Sequence, residues 1–124
     1  VLFPSPYGGM ALERSEALDL ALRLKDKTHL PCLPAFPVPS AGIHPGLVPH
    51  IMDDFGLDVV INAGGGIHGH PGGAAAGGRA FRAAMAASVA GVPLEQAVAG
   101  SSDLRAALDQ WGSDKARIPK EFPI

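Results

Sequence analysis

Ala17, Leu20, Ala21 and Leu24 recur at i, i+3, i+4 and i+7, with Leu18 and Leu22 beside them. That spacing lines one face of an α-helix and predicts a helix over about residues 10–25. Glu13 and Glu16 lie near its start, Arg23 and Lys25 near its end. The helix dipole favours that order of charges, and the helix should fray before Pro31. Val48, Ile51, Met52 and Phe55 form a second helical stripe. Pro45 suits the first position of that helix, where a missing N–H costs nothing, and Gly56 suits a left-handed cap at its end. Phe81, Met85 and Val89 mark a third helix, ended by Gly91 and Pro93. A short helix is expected over residues 94–98. In the last helix, Ser102 is read as the N-cap, Leu104, Ala107, Leu108 and Trp111 share a face, and Gly112 closes it.

The strands are shorter. Val59, Val60 and Ile61 are three β-branched residues in a row within residues 58–63, which suits a strand buried on both faces. Residues 1–3 and 33–39 read as two more strands, although Pro34, Pro37 and Pro39 remove ladder donors from the second. The order is strand, helix, strand, helix, strand, helix, helix. Such alternation implies parallel βαβ units with right-handed crossovers. The fold class is therefore α/β, closing as an open doubly wound sheet or as part of a (β/α)8 barrel. The chain opens on Val1 without an initiator methionine, inside what reads as a strand, so a piece of a longer protein is expected.

Composition narrows the function. The 124 residues carry 10 Lys plus Arg against 12 Asp plus Glu, a net charge of −2. A nucleic-acid binder would show a basic surplus. Glycine and proline are abundant, at 16 and 12, yet 47% of the chain is apolar, enough to fold around a core. Cys32 is the only cysteine, so neither an internal disulfide nor a structural zinc site can form from cysteines alone, and a reducing, intracellular setting is the default. No apolar run is long enough to span a membrane.

The candidate chemistry lies in two glycine turns. Gly64, Gly65 and Gly66 follow the strand at residues 58–63 directly. Consecutive glycines let a backbone turn tightly and approach a ligand, and a concave set of N–H donors makes a nest for an anion, most often phosphate. A flexible crossover loop is the plain alternative. No Gly-Lys-Ser/Thr follows, so this is not a Walker A loop, and no dinucleotide fingerprint falls at the turn. Ser40-Ala41-Gly42 occupies the same slot one βα unit earlier. Two successive glycine-bearing strand ends are what the phosphate site of an eight-stranded barrel uses, after strands 7 and 8. A side chain at Gly64 or Gly65 is expected to block the ligand and to force the backbone into a costly conformation.

At these residues the chain resembles a known family. Val38-Pro39-Ser40-Ala41-Gly42-Ile43-His44-Pro45-Gly46 and the run from Val60 through Gly64-Gly65-Gly66-Ile67-His68-Gly69-His70-Pro71 resemble strands 7 and 8 of the RuBisCO superfamily. Leu2-Phe3-Pro4-Ser5-Pro6-Tyr7-Gly8 is similar to strand 6 and its loop in one branch, the RuBisCO-like 2,3-diketo-5-methylthiopentyl-1-phosphate enolases of methionine salvage. The helix ending Ala-Leu-Asp-Gln-Trp-Gly at Gly112 is similar too. The resemblance implies that residues 1–112 form the C-terminal part of a (β/α)8 barrel, about strands 6 to 8: three βα units and a C-terminal helix, with a polar tail over residues 113–124.

The resemblance also implies a keto–enol isomerase, or intramolecular oxidoreductase, acting on a small phosphorylated substrate. It is expected to be cytoplasmic and homodimeric as the complete chain, with neither nucleic acid nor membrane as a partner. Gly42, Gly64 and Gly65 match the backbone donors that hold the substrate phosphate, and Ser40 a position near the substrate. The base lysine, the carbamylated lysine and the acidic pair that holds Mg2+ have no counterpart here, so this chain supplies no catalytic or metal residue and is expected to be inactive alone. The loop from Pro4 to Met10 lacks the lysine that the carboxylases carry, which favours the non-carboxylating branch. Another RuBisCO-like sugar-phosphate isomerase, and a non-catalytic anion-binding α/β module, are the alternatives.

Other polar residues are read structurally. His68 and His70 form an H-x-H pair that would bind metal only with a third ligand. His44 precedes Pro45 at a helix start, Ser5 and Tyr7 lie on a loop that can face substrate, and Asp53 and Asp54 are expected on the solvated side of their helix.

Overall fold

The computed structural model describes residues 1–8, 12–28 and 33–113. Met10 and Ala11 of the expected first helix, Cys32 and the tail beyond Ser113 lie outside them, while Leu12 and Glu13 precede the helix. The elements run β1 (Leu2–Pro4), α1 (Arg14–Lys25), β2 (Val38–Ser40), a 3-10 turn at Pro45–Leu47, α2 (Val48–Phe55), α3 (Gly65–His68), α4 (Ala74–Ala90), α5 (Leu94–Ala97), a second 3-10 turn at Val98–Gly100 and α6 (Ser102–Trp111).

β1 and β2 pair in parallel, with Leu2 opposite Val38 and Pro4 opposite Ser40. The third strand, expected over residues 58–63, is reduced to a single parallel bridge between Ser40 and Asn62. The cause is visible in the ladder. The Val60 N–H donates to the Pro37 carbonyl at 3.1 Å. A parallel ladder would return the next bond from residue 39 to the Val60 carbonyl, but residue 39 is proline and has no N–H. Val60 is correspondingly exposed rather than buried on both sides.

The core gathers where the helices cover the ends of these strands. Phe3, Tyr7, Ile43, Leu47, Val48, Ile51, Phe55, Phe81, Leu94 and Leu104 are buried together, and the Phe3 and Phe55 rings meet at 5.9 Å between centroids. Ala17 and Ala21 are the buried residues of α1, while Leu22 is exposed. In α4 the buried face is Ala76, Gly77, Ala80, Phe81, Ala84 and Ala87. Met85 is half-buried and Val89 exposed, because steps of four residues drift by about 40° each around a 3.6-residue helix. The α4 helix also starts earlier than its glycines suggest. Gly77 lies inside it because a Cβ there would stand 2.3 Å from the Ile67 carbonyl oxygen. The N-cap of α6 is Ser101, whose hydroxyl accepts from the Leu104 N–H at 3.1 Å, not Ser102. No helix among the described residues is long and apolar enough to cross a membrane.

Candidate functional site

The two glycine turns meet. A Cβ on Gly66 would stand 2.3 Å from the Ile43 carbonyl oxygen, so the turn after residues 58–63 rests directly on the backbone that follows β2. Between them lies a cavity of about 460 Å³. Gly42 lines it from one side and Gly64 and Gly65 from the other, with Gln110 and Trp111 of α6 also on its wall. Trp111 stacks against His44 at 5.8 Å, with 18° between the rings, and Gln110 Nε2 donates to the Gly69 carbonyl at 3.1 Å. No lysine, arginine or carboxylate is among the described lining residues. An anion here would meet neutral donors, the backbone N–H groups of the glycine turns and side chains such as Asn62 among them, and the first turn of a helix leaves backbone N–H groups without an intrahelical acceptor.

Ser40 does not line the cavity. Its hydroxyl donates to the Val38 carbonyl at 3.1 Å and accepts from Asn62 Nδ2 at 3.0 Å. It ties the single inter-segment bridge together, one residue behind the turn. At the turn itself, Ala41 has φ 74° and Gly42 φ 69°. The left-handed region is uncommon for a residue with a Cβ, so Ala41 is held there by its surroundings. Those surroundings are Ser5, which is 1% exposed. Its N–H donates to the Ser40 carbonyl at 2.7 Å and its hydroxyl to the Ala41 carbonyl at 2.6 Å.

Gly64 has φ −94° and ψ −67°, and neither Gly64 nor Gly65 has an atom within 4 Å of where a Cβ would stand. The backbone itself therefore does not demand glycine at these two positions, contrary to the expectation from sequence. Gly42 differs, with positive φ and the Gly8 Cα 2.4 Å from a Cβ placed on it.

Asp54 overturns the expectation of a solvated carboxylate. Its side chain is 2% exposed. The Tyr7 hydroxyl donates to its Oδ2, and Arg14 Nη2 donates to its Oδ1 at 2.6 Å. Burial first, then the hydrogen bond to Asp54, push the Tyr7 phenol well above its ordinary range. The signal for this cluster was present in the stripe. Asp54 stands three residues after the buried Ile51, on the face of α2 that packs, and a carboxylate there requires a partner. Asp53 is exposed.

His70 is buried at 5% exposure, with Nε2 against the Asp103 carbonyl at 2.8 Å and Nδ1 accepting from the Gly72 N–H at 2.9 Å. His68 is exposed. Among the described residues no three His, Cys, Asp or Glu side chains gather in a way that could hold a metal ion.

The family profile described as ribulose bisphosphate carboxylase large chain, catalytic domain, matches residues 24–111. A 2,3-diketo-5-methylthiopentyl-1-phosphate enolase from Geobacillus kaustophilus is 63% identical over 112 residues, which is 90% of this chain and 27% of that protein. The crystal structure of a rubisco-like protein from Alicyclobacillus acidocaldarius is 53% identical and superposes with a TM-score of 0.82, over 90% of this chain and 27% of that one. The octameric ribulose-1,5-bisphosphate carboxylase/oxygenase of Pyrococcus horikoshii, crystallised as a complex with sulfate ion, is 39% identical with a TM-score of 0.83, over 90% and 26%. The chain thus spans about a quarter of the length of the proteins it matches.

Proposed function

Because the chain belongs to the ribulose bisphosphate carboxylase large-chain family, we propose that it forms part of an enolase that converts 2,3-diketo-5-methylthiopentyl 1-phosphate to its 2-hydroxy-3-keto enol form. Within that enzyme Gly42, Gly64 and Gly65 hold the substrate phosphate through backbone N–H groups. The observation that carries this reading is their convergence, from two successive strand ends, on one cavity free of carboxylates. Ser40 braces the turn from behind, through Asn62.

The parallel pair β1–β2 and the bridge from Ser40 to Asn62 support placing residues 1–112 as strands 6 to 8 of a (β/α)8 barrel, with the tail beyond it. Enolisation removes a proton beside a carbonyl. A phosphate anchor contributes by fixing that carbon against the base, and by lending binding energy from a group remote from the reaction. The described carboxylates do not fit Mg2+: they form no cluster, and Asp54 is already engaged by Tyr7 and Arg14. In this reading Mg2+ and the proton-abstracting base are supplied by other parts of the enzyme, and this chain alone is expected to be inactive. A homodimeric, cytoplasmic enzyme is part of the same reading; for the dimer it has the support of a dimeric archaeal Rubisco from Hyperthermus butylicus that is 31% identical.

The test is substrate affinity in the complete polypeptide. Gly64→Asp places a carboxylate where the phosphate would sit, in space the fold leaves open. Loss of binding by calorimetry, with an unchanged circular dichroism spectrum, is the expected result. Unaltered affinity in the folded variant would exclude the site.

A further inference from the structure

We propose that Ser5 is a positioning residue for the phosphate site: its hydroxyl grips the Ala41 carbonyl and thereby aims the Gly42 N–H at the ligand. This rests on the reading of Gly42 as an anion donor. The geometry is that of one peptide unit. The Ala41 carbonyl and the Gly42 N–H belong to the same planar, trans amide, so they point in opposite directions. Whatever fixes the carbonyl fixes the N–H.

Ser5 is built for that task. It is 1% exposed and held on both sides. Its own N–H donates to the Ser40 carbonyl at 2.7 Å, and its Oγ accepts from the Tyr7 N–H at 3.2 Å while donating to the Ala41 carbonyl at 2.6 Å. The hydroxyl proton is therefore committed to Ala41. The chain Tyr7 N–H, Ser5 O–H, Ala41 C=O and Gly42 N–H runs head to tail, an order in which each bond polarises the next. Gly42 cannot set the direction itself, because glycine adopts positive and negative φ with similar ease. A flip of the 41–42 peptide would cost Gly42 little and would reverse the direction of its N–H. The Ser5 hydroxyl is what such a flip would lose.

The experiment uses the complete polypeptide, labelled with 15N-glycine, and inorganic phosphate as the probe. In the unaltered protein phosphate should shift the Gly42, Gly64 and Gly65 amide resonances. In Ser5→Ala the affinity for phosphate should fall about tenfold, and the Gly42 amide should lose its response while Gly64 and Gly65 keep theirs. Loss of global structure alone would not separate the three glycines in this way. If Ser5→Ala binds phosphate within about twofold of the unaltered protein while Gly64→Asp does not bind, the phosphate site stands and the role of Ser5 is wrong. Should Ser5→Ala fail to fold, the unaltered protein still decides. A silent Gly42 beside a responding Gly64 overturns the role of Ser5, and silence at all three glycines overturns the phosphate site itself.

Discussion

Gly42 lies so close to Gly8 that a Cβ on Gly42 would stand 2.4 Å from the Gly8 Cα. The contact brings the loop after β1 onto the turn after β2, and it joins two segments 34 positions apart in the sequence. Because Gly42 also has φ 69°, a side chain there meets both a backbone clash and a disfavoured conformation. Gly42→Ala should therefore destabilise the fold by about 2 kcal/mol or more. Gly64→Ala should change stability by less than about 0.5 kcal/mol, since its Cβ enters open space. Urea denaturation of the two variants in the complete polypeptide compares them directly. Equal losses would mean that the turns are not built as described.

That difference marks the limit of what the sequence tells. Both turns are legible as glycine-bearing strand ends, and so are Pro45 at a helix start and Gly91 at a helix end. Which glycine is required is not legible, because the requirement comes from Gly8, a residue of another turn. The missing third strand has a local cause that can be read in advance: Pro39 has no N–H to return to Val60. On α4 only Phe81 of the large side chains marks the buried face; the alanines and Gly77 that complete it and let α4 pack closely carry no signal in a pattern read from large residues. Asp54 is a carboxylate at a packed position of α2, and its partners Tyr7 and Arg14 lie more than 35 positions away. Its burial therefore needed the tertiary structure, although its place on the stripe pointed that way.

Tyr7 gives the chain a dependence on alkaline pH. Burial and then Asp54 raise its phenol above the ordinary value of 10.0. The folded protein keeps the proton where the unfolded chain releases it. The resulting stabilisation is complete below about pH 10 and is lost as the pH climbs from there toward the folded value. Tyr7→Phe has no phenol to titrate. It should cost about 1.5–3 kcal/mol at neutral pH, through the lost bond to a carboxylate, and its stability should fall less steeply above about pH 10. Urea midpoints of both proteins across that range provide the check, and parallel curves would contradict it.

His70 should matter for the fold and not for the ligand. The Gly72 N–H donates to Nδ1, which leaves the ring proton on Nε2 to donate to the Asp103 carbonyl. The imidazole thus ties the entry of α4 to the first turn of α6. His70→Ala strands both partners and should cost about 2–4 kcal/mol, while phosphate affinity stays within about threefold in the protein that remains folded, a change of roughly 0.7 kcal/mol or less. Calorimetric binding below the melting transition separates the two effects. A severe loss of affinity with an unchanged melting temperature would place His70 in the binding site instead.

Gly77 and Gly78, adjacent in α4, should respond to the same substitution with opposite signs. Gly78 has no atom within 4 Å of a Cβ position, so Gly78→Ala meets nothing. It removes the entropy cost of glycine in a helix and should stabilise the protein by about 0.5–1 kcal/mol. At Gly77 the same methyl group would stand 2.3 Å from the Ile67 carbonyl oxygen and 2.8 Å from the Ile67 Cα. Those atoms are backbone and cannot rotate aside. The Gly77→Ala helix must move away from α3, losing contacts along the buried alanine face, at a cost of about 1–3 kcal/mol. The displaced element carries Gly65 and adjoins Gly64, so Gly77→Ala should also weaken phosphate binding, and Gly78→Ala should leave it unchanged. Thermal unfolding and phosphate titration of the two single variants test both halves. Equal stabilities would show that α4 does not rest on the Ile67 backbone, and weakened binding in Gly78→Ala alone would show that the turn is not supported from this side.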